Sequence, residues 1–295
     1  MALWLRSRYV ARMASKTKQR AEHGTVAAPR PKDRPGRVAR IPVSAAQAQR
    51  AIERWYLLYT PLWVGVVAIV LLSGAFARWR DPEYMLLGVA LALPVWLWPA
   101  FQERSVPFFR RHGTKAALYI TVLSFLQNYF GTPFFSRCFG LEYRFPARIA
   151  LNGYPVFLSL LTVAYFAAYF AVMQAGLRLG ERWVPRIGPG AWGITLRRVL
   201  LTFVLACALA YAETLTMASE PLRGYFAYAD KSRMLRVGSL CYGTLLFIAQ
   251  LIYLRIDANP DHPTPLRRVL WDALAVSMLV LCAYELFAYL LGRWP

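Results

Sequence analysis

The sequence predicts an all-α protein, a polytopic bundle of about seven transmembrane helices, with six also possible. Hydrophobic residues make up 58% of the 295-residue chain, which is too apolar for a soluble domain of this size. They are gathered into runs of about 20 residues, the length of helix that crosses a bilayer. The formal charge is +20, but the basic residues lie in the tail and loops. Anionic lipid headgroups are therefore the expected partner, and the spans exclude a soluble nucleic-acid binder.

Residues 1–50 are predicted to be a disordered basic tail, and residues 51–295 the transmembrane bundle that carries the site. The tail is rich in Arg, Lys, Ala and Pro and has no sustained apolar run, so it buries too little surface to fold alone. It lacks the apolar segment of a secretory signal. A juxtamembrane polybasic arm is favoured over an Arg-rich transit peptide, and both interpretations stay open.

Seven apolar segments follow the tail. We expect helices near Tyr56–Ala77, Glu83–Phe101, Lys115–Phe135, Tyr154–Met173, Leu196–Met217, Val237–Leu254 and Val269–Leu290. The second is the least regular because Pro94 and Pro99 interrupt it. Most of the 35 Lys and Arg residues fall in the segments that lie inside when the N-terminus is inside, which favours that orientation. No internal repeat is visible, which disfavours most secondary-transporter architectures.

One span carries an acid well inside its apolar run. The stretch Tyr211-Ala212-Glu213-Thr214 lies within Leu196–Met217. An ionisable group inside a span costs at least ~2.5 kcal/mol by insertion scales and usually faces a bundle interior or a cavity. Two interpretations have similar weight: Glu213 is the centre of a lipid-substrate site, or it is a structural carboxyl that caps a helix or pairs with an Arg of a neighbouring helix.

Helical rise places several polar side chains at one depth. Glu213, Glu285 and Asn128 lie about 20–25 Å along their spans, and Tyr154 and Tyr242 lie near the starts of spans that run the opposite way. We therefore expect one layer near the far end of the bundle, lined by Asn128, Tyr129, Tyr154, Glu213, Tyr242 and Glu285. Asp272 lies near the other end. Like Glu83, it is interpreted as an acid in the first turn of a helix, where the macrodipole favours it.

The residue types restrict the chemistry. All three histidines, His23, His112 and His262, are predicted to lie in the tail or loops, so no imidazole-centred metal site or serine triad is expected in the bundle. The four cysteines are scattered without a CxxC pair, and neither a phosphate loop nor a dinucleotide fingerprint is present. We expect no metal and no cofactor.

Carboxyl, amide and phenol groups in an apolar cavity remain. Burial disfavours a charged carboxylate, so Glu213 or Glu285 is expected to stay protonated near neutral pH. Such an acid can protonate a weakly basic carbon, a second group can remove a proton, and aromatic faces can stabilise a cation between the two steps. The catalytic candidates are Glu213, Asn128, Tyr129 and Glu285, and the substrate-binding candidates are Tyr59, Tyr154, Tyr211 and Tyr242. Most other aromatic residues are expected to pack helices or anchor them at the interface.

A series of short motifs runs in order from about residue 55 to the C-terminus. It comprises Tyr56–Trp63, Glu83-Tyr84 with Pro94 and Pro99, Ser124–Phe130 with Thr132 and Phe134-Phe135, Gly140–Pro146, Tyr211–Thr214 followed by Tyr225-Phe226, Val237-Gly238 with Tyr242, Arg255–Asp257, and Asp272–Leu274 with Met278–Val280. The order and spacing of this set resemble the cycloeucalenol cycloisomerase family, the cyclopropyl sterol isomerases known best from plants. The basic tail lies outside the resemblance.

The resemblance implies an isomerase that opens the 9β,19-cyclopropane ring of a 4α-methyl sterol to give a Δ8 sterol, as cycloeucalenol becomes obtusifoliol, without a redox partner. Plant members carry histidines near the equivalents of Thr132–Phe134 and Tyr154–Val156, where this chain has none. The resemblance assigns no catalytic residue. The choice of Glu213 as the acid rests on its depth and chemistry, and Asn128 and Tyr129 are expected to orient the proton or help to accept one.

Two other functions stay open. One is a Δ8-type sterol double-bond isomerase that uses the same acid and cation chemistry, and the other is a non-enzymatic lipid-binding or transport protein whose buried acids gate or pair. In all three cases the chain is expected to be a multi-pass membrane protein, in the endoplasmic reticulum of a eukaryotic host or the inner membrane of a bacterial one.

Overall fold

A computed structural model describes residues 45–185, 187–188, 190–259 and 261–292. Most of the predicted basic tail therefore lies outside the described residues. Its last part, residues 45–50, was predicted wrongly, because these residues are the first turns of a helix. Ala48 is buried there, and Gln49 Nε2 donates a hydrogen bond to Gln174 Oε1 at 3.4 Å. Contacts with the bundle thus extend the helix toward the N-terminus.

The described chain is almost entirely helical, as predicted. Its helices are α1 Ala45–Leu72, α2 Asp81–Gln102, α3 His112–Leu126, α4 Thr132–Phe139, α5 Val156–Trp183, α6 Gly190–Met217, α7 Lys231–Arg233, α8 Ser239–Tyr253 and α9 Leu266–Leu291. Short 3₁₀ turns lie at Ala75–Ala77, Phe108–Arg110 and Glu220–Leu222, and π-helical turns at Gln127–Gly131 and Met234–Gly238. The strands are β1 Leu141–Tyr143, β2 Ala150–Leu151, β3 Tyr154–Pro155 and β4 Phe226–Tyr228.

Five helical segments in the described part of the chain are long and apolar enough to cross a membrane. They are Ala46–Leu72, Val156–Trp183, Gly190–Met217, Lys231–Tyr253 and Leu266–Leu291. The architecture is that of a multi-pass membrane protein, but the predicted count of seven spans is not confirmed. The other two predicted spans do form helices. However, α2 contains Pro94 and Pro99, and a π-helical turn divides the third segment into α3 and α4.

Helix α5 forms the centre of the bundle and packs against α1, α2, α3 and α6. In its most apolar 18-residue stretch 61% of the residues are buried, against 11% in α1. Small residues allow the close approach to α6: a Cβ on Gly176 would stand 2.9 Å from the side chain of Leu205, and one on Gly180 3.1 Å from Leu201. The hydrophobic effect does not drive association between helices in lipid, so close van der Waals packing at small residues stabilises these contacts.

Two small antiparallel sheets interrupt the helices. Strands β1 and β4 pair with Leu141 opposite Tyr228 and Tyr143 opposite Phe226. Strands β2 and β3 form a hairpin whose two turn residues, Asn152 and Gly153, have φ of 52° and 81°, as a tight hairpin turn requires. The predicted start of the fourth span was therefore wrong: Tyr154 lies in β3, and the helix begins at Val156.

A buried ionic cluster ties α3 to the loop between α8 and α9. Lys115 Nζ donates to Asp257 Oδ1 at 2.7 Å, and His112 Nδ1 lies 3.1 Å from Asp257 Oδ2. Burial raises the pKa of Asp257, but the hydrogen bonds from His112 and Lys115 outweigh that effect and leave the pKa below its ordinary value. The loop position predicted for His112 was wrong, since this buried residue begins α3, where Glu103 accepts hydrogen bonds from the backbone N–H groups of His112 and Gly113.

Two acids, Glu83 and Asp272, were predicted to lie in the first turn of a helix, and only the first of them does. Glu83 is confirmed there: α2 begins at Asp81, and Glu83 Oε2 accepts from the backbone N–H of Arg80 at 2.9 Å. For Asp272 the prediction was wrong, because α9 begins earlier than expected, at Leu266. Asp272 lies in the second turn and forms an ion pair with Arg268 one turn before it, at 2.8 Å.

Candidate functional site

The two π-helical turns contribute to one cavity near an end of the bundle. Gln127, Asn128 and Gly131 of the first turn and Met234 of the second line its wall. A π-helical turn holds one more residue than an α-helical turn, which redirects the side chains that follow, and such turns are frequent at functional sites. The α3–α4 segment thereby directs two amides toward the cavity.

The cavity and the open solvent at its mouth together make up about 610 Å³. Strands β1 and β4 border it through Leu141, Tyr143, Phe226 and Tyr228, and α4, α5, α6, α8 and α9 supply the other walls. Phenol and phenyl rings dominate the lining. Among the described residues that line it, Glu213 is the single acid, and none is basic.

Glu213 is held among phenols rather than cations. It lies four residues before the end of α6, at Met217, and the hydroxyls of Tyr169 and Tyr242 interact with its carboxyl. Its Oε2 atom is buried and has no hydrogen-bond partner among the described residues. The ion pairs of the described chain do not include Glu213. The interpretation of Glu213 as an Arg-paired structural carboxyl therefore finds no support in these contacts.

A hydrogen-bonded chain runs along the wall formed by α3 and α5. Asn128 Nδ2 donates to the Ser124 carbonyl at 2.9 Å and to Thr162 Oγ1 at 2.8 Å. Thr162 Oγ1 lies 3.0 Å from the Tyr165 hydroxyl, and Thr162, Tyr165 and Asn128 all line the cavity. The amide of Asn128 is thus held in a defined orientation.

The structure brings three of the eight predicted site residues to the cavity, namely Asn128, Glu213 and Tyr242. Tyr154 lies just behind the wall. Its hydroxyl donates to Ser136 Oγ at 3.0 Å, and its ring packs edge-on against that of Tyr143, with centroids 5.8 Å apart.

The other four candidates do not line the cavity. Two of them, Tyr129 and Glu285, were predicted in the layer around Glu213, and that prediction was wrong. Glu285 is exposed and forms an ion pair with Arg137 at 2.6 Å. Tyr129 and Tyr211 are 40% and 48% exposed. Tyr59 is buried between α1 and α2, where its hydroxyl donates to the Leu91 carbonyl at 2.8 Å.

Helical geometry explains these positions. Successive residues of an α-helix point about 100° apart, so equal depth does not imply a shared face. Tyr211 and Glu213 differ by about 200° around α6, and Glu285 follows Tyr284, which does line the cavity. The rise per residue does not give the rotation of each helix about its axis, and this rotation decides which side chains reach the cavity.

Several lining residues were absent from the predictions. They are Gln127, Tyr143, Thr162, Tyr165, Tyr228 and Tyr284; Tyr169, beside Glu213, was also absent. Gln127 and Tyr284 each adjoin a residue that was selected, Asn128 and Glu285. Tyr143 and Tyr228 come together only through the pairing of β1 with β4, for which the sequence shows no local signal.

The donor groups of the described chain are not arranged for a metal. No group of three or more His, Cys, Asp or Glu side chains within residues 45–292, its short gaps aside, is placed to hold such an ion.

A comparison with curated proteins finds one relative. The chain is 30% identical over 246 residues to the cycloeucalenol cycloisomerase of Arabidopsis thaliana, an alignment that covers 81% of this chain and 85% of the relative. No protein-family model matches, and no solved structure matches.

Proposed function

The chain belongs to the cycloeucalenol cycloisomerase family, and on that premise we propose that it opens the 9β,19-cyclopropane ring of a 4α-methyl cyclopropyl sterol to give a Δ8 sterol. The observation that carries this proposal is the position of Glu213. It is the acid of a cavity that the described residues otherwise line with amides, hydroxyls and apolar side chains, and none of those residues forms a hydrogen bond with its Oε2 atom.

The reaction needs one proton donor and one proton acceptor. The Glu213 carboxyl gives its proton to C19, the C9–C19 bond supplies the electron pair for the new C–H bond, and a cation forms at C9. A proton then leaves C8, and the electrons of that C–H bond form the C8–C9 double bond. The Glu213 carboxylate takes up this proton, directly or through the hydroxyl of Tyr242 or Tyr169, and the acid is restored. Atoms and electrons balance without an oxidant.

The surrounding side chains have separate roles in this proposal. Tyr242 and Tyr169 orient the carboxyl, and Asn128 positions the sterol against the α3–α5 wall. The rings of Phe135, Tyr165, Phe166 and Phe226 line the cavity and stabilise the cation through their π faces, an interaction worth about 2 kcal/mol where water is excluded. Tyr129, Tyr211 and Glu285 have no part in it because they lie outside the cavity.

The chain would work within a membrane that contains its apolar substrate. We place it in the endoplasmic reticulum of a eukaryotic host or the inner membrane of a bacterial one, with the N-terminus inside. The basic N-terminal residues would then bind anionic lipid headgroups.

Sterol conversion in isotopically labelled water tests the proposal. Membranes from a host without sterol isomerases, with and without this chain, are incubated with cycloeucalenol in H₂O and in D₂O, and the extracted sterols are analysed by mass spectrometry. The expected product is a Δ8 sterol that carries one deuterium in its C19 methyl group. Binding without conversion would favour a lipid-binding or transport protein, and conversion of a Δ8 sterol in place of the cyclopropyl sterol would favour a double-bond isomerase.

A further inference from the structure

Two buried polar side chains of the cavity have no hydrogen-bond partner among the described residues. Gln127 is 5% exposed and Tyr284 is 1% exposed. Neither the Oε1 and Nε2 atoms of Gln127 nor the hydroxyl of Tyr284 is paired, although both residues line the cavity. Burying a polar group without a hydrogen-bond partner is unfavourable, so these groups are expected to meet a polar ligand atom.

The two side chains lie together beside Gly131. A Cβ on Gly131 would stand 3.0 Å from Gln127 Oε1 and 3.2 Å from Tyr284 Cε2. The Tyr284 ring is held firmly, because it stacks on Phe134 with centroids 4.5 Å apart. The absence of a side chain at residue 131 therefore keeps space open next to both polar groups.

The chemistry of the pair fits a neutral hydroxyl. A primary amide both donates and accepts hydrogen bonds, and so does a phenol. A ligand hydroxyl, which also does both, can satisfy Gln127 and Tyr284 at once. None of the described residues that line the cavity is basic, which disfavours a phosphate or a carboxylate as the ligand group. The Nδ2 atom of the neighbouring Asn128 already donates to the Ser124 carbonyl and to Thr162 Oγ1, so Gln127 is the amide whose donor is unpaired.

We infer that Gln127 and Tyr284 form the binding site for the 3β-hydroxyl group of the sterol. This inference rests on the proposed function for the identity of the ligand as a sterol. A hydroxyl held between the first π-helical turn and α9 leaves the aliphatic side chain of the sterol at the opposite end of the molecule, away from Gln127 and Tyr284. Recognition thus depends on the 3β-hydroxyl, whereas the side chain contributes apolar contact alone.

Equilibrium binding of sterol analogues tests the inference independently of turnover. Tritiated cycloeucalenol is bound to the purified full chain in nanodiscs and displaced by unlabelled cycloeucalenol, its 3-deoxy analogue or its 3-O-methyl ether. The wild type is expected to bind the 3-deoxy analogue at least 10-fold more weakly, because a site built around a hydroxyl rejects ligands that lack one. Gln127→Leu and Tyr284→Phe are expected to reduce this ratio to near 1 by weakening the binding of the hydroxylated sterol.

The chain provides matched controls for both variants. Gln250 is 0% exposed and Tyr56 is 1% exposed, and their amide and hydroxyl groups are also unpaired, but neither residue lines the cavity. Gln250→Leu and Tyr56→Phe should therefore keep the wild-type preference for the hydroxyl. All four changes remove an unpaired buried polar group, so all four are expected to fold.

The outcomes separate this inference from the proposed function. A wild type that binds the 3-deoxy analogue as well as cycloeucalenol would overturn the inference, even if cycloeucalenol is converted. Retention of the 10-fold preference by both Gln127→Leu and Tyr284→Phe would also overturn it. A strong preference that both variants lose, in a chain that converts no cyclopropyl sterol, would support the hydroxyl site and contradict the isomerase.

Discussion

Asn128 Nδ2 donates a 2.8 Å hydrogen bond to Thr162 Oγ1, which joins the π-helical turn after α3 to α5 at the cavity wall. The bond connects the helical segment that this turn interrupts to α5, whose most apolar stretch is the most buried among the five candidate membrane spans. It therefore couples the position of the two cavity amides, Gln127 and Asn128, to the centre of the fold.

Loss of the Thr162 hydroxyl should weaken both the fold and the site. Thr162→Val keeps the side-chain shape but removes one of the two acceptors of Asn128 Nδ2. We expect about 1–2 kcal/mol less stability and a higher KM for the sterol. Thr202→Val is the control, since Thr202 is equally buried and its hydroxyl donates to the Arg198 carbonyl of its own helix. An increase in KM for Thr202→Val as large as that for Thr162→Val would contradict the proposed coupling.

Neutralising Glu213 should lower kcat strongly, whereas neutralising Glu285 should change kcat little. Glu213→Gln removes the proton donor and should lower kcat by about 10²–10⁴-fold, the usual contribution of a general acid, with sterol binding retained. Glu285→Gln should leave kcat within about twofold, because Glu285 is exposed and paired with Arg137, where a salt bridge contributes ~0–1 kcal/mol. Full turnover in a folded Glu213→Gln variant would contradict the assigned role.

The buried pair Lys115–Asp257 should stabilise the end of the bundle that contains it. Asp257→Asn leaves the Lys115 ammonium, with 2% of its side chain exposed, without its carboxylate partner, which is expected to cost about 3–5 kcal/mol. The double variant Lys115→Met/Asp257→Asn should recover most of this loss. Stability can be measured by thermal unfolding in detergent with a thiol-reactive fluorophore, since the free cysteines Cys138 and Cys241 are buried until the chain unfolds.

The same pair predicts a pH dependence. The pKa of Asp257 is lower in the folded chain than its ordinary value of 3.8. Its ionised form therefore contributes stability above that value, and the contribution is lost as the pH falls through the folded pKa. Between about pH 5 and pH 3 the wild type should lose more unfolding free energy than the Lys115→Met/Asp257→Asn variant. Parallel pH profiles for the two proteins would contradict this prediction.

Replacing Gly113 or Gly65 with alanine should change the stability of the protein in opposite directions. A Cβ on Gly113 would stand 2.1 Å from Pro99 Cβ and 2.9 Å from Ile52 Cδ1, so Gly113→Ala must force α3 away from α2 and is expected to cost about 1–3 kcal/mol. Gly65, in α1, has no atom within 4 Å of such a Cβ, and Gly65→Ala should gain up to about 1 kcal/mol of helix propensity. The unfolding midpoints of the two variants measure the difference.

The helical class was predictable because hydrophobicity and length are local properties. Each of the seven predicted spans overlaps helical structure, but Pro94 and Pro99 lie inside one continuous helix, α2, and do not interrupt it. The π-helical turns and the break between α3 and α4 were not predictable. They depend on packing against neighbouring helices, and no residue of Gln127–Gly131 is a local helix breaker other than the glycine itself.

The candidate site was predicted in part. Composition identified Glu213 as the exceptional group of its span, and the rise per residue placed Asn128 and Tyr242 at its depth, next to the cavity that they line. The rise per residue gives a position along the helix axis, but it does not give the rotation of the helix about that axis. Tyr129, Tyr211 and Glu285 were also predicted for the site, but their side chains are exposed.

By itself, the sequence determined that this protein is a bundle of apolar helices with one acid in an unusual place, because both features follow from transfer free energies that apply residue by residue. Only the tertiary structure decided which polar groups share the cavity with that acid. Gln127, Tyr165, Tyr228 and Tyr284 come from separate elements, and their meeting depends on helix rotation, a π-helical turn and the pairing of two short strands. Each of these is set by contacts between distant parts of the chain.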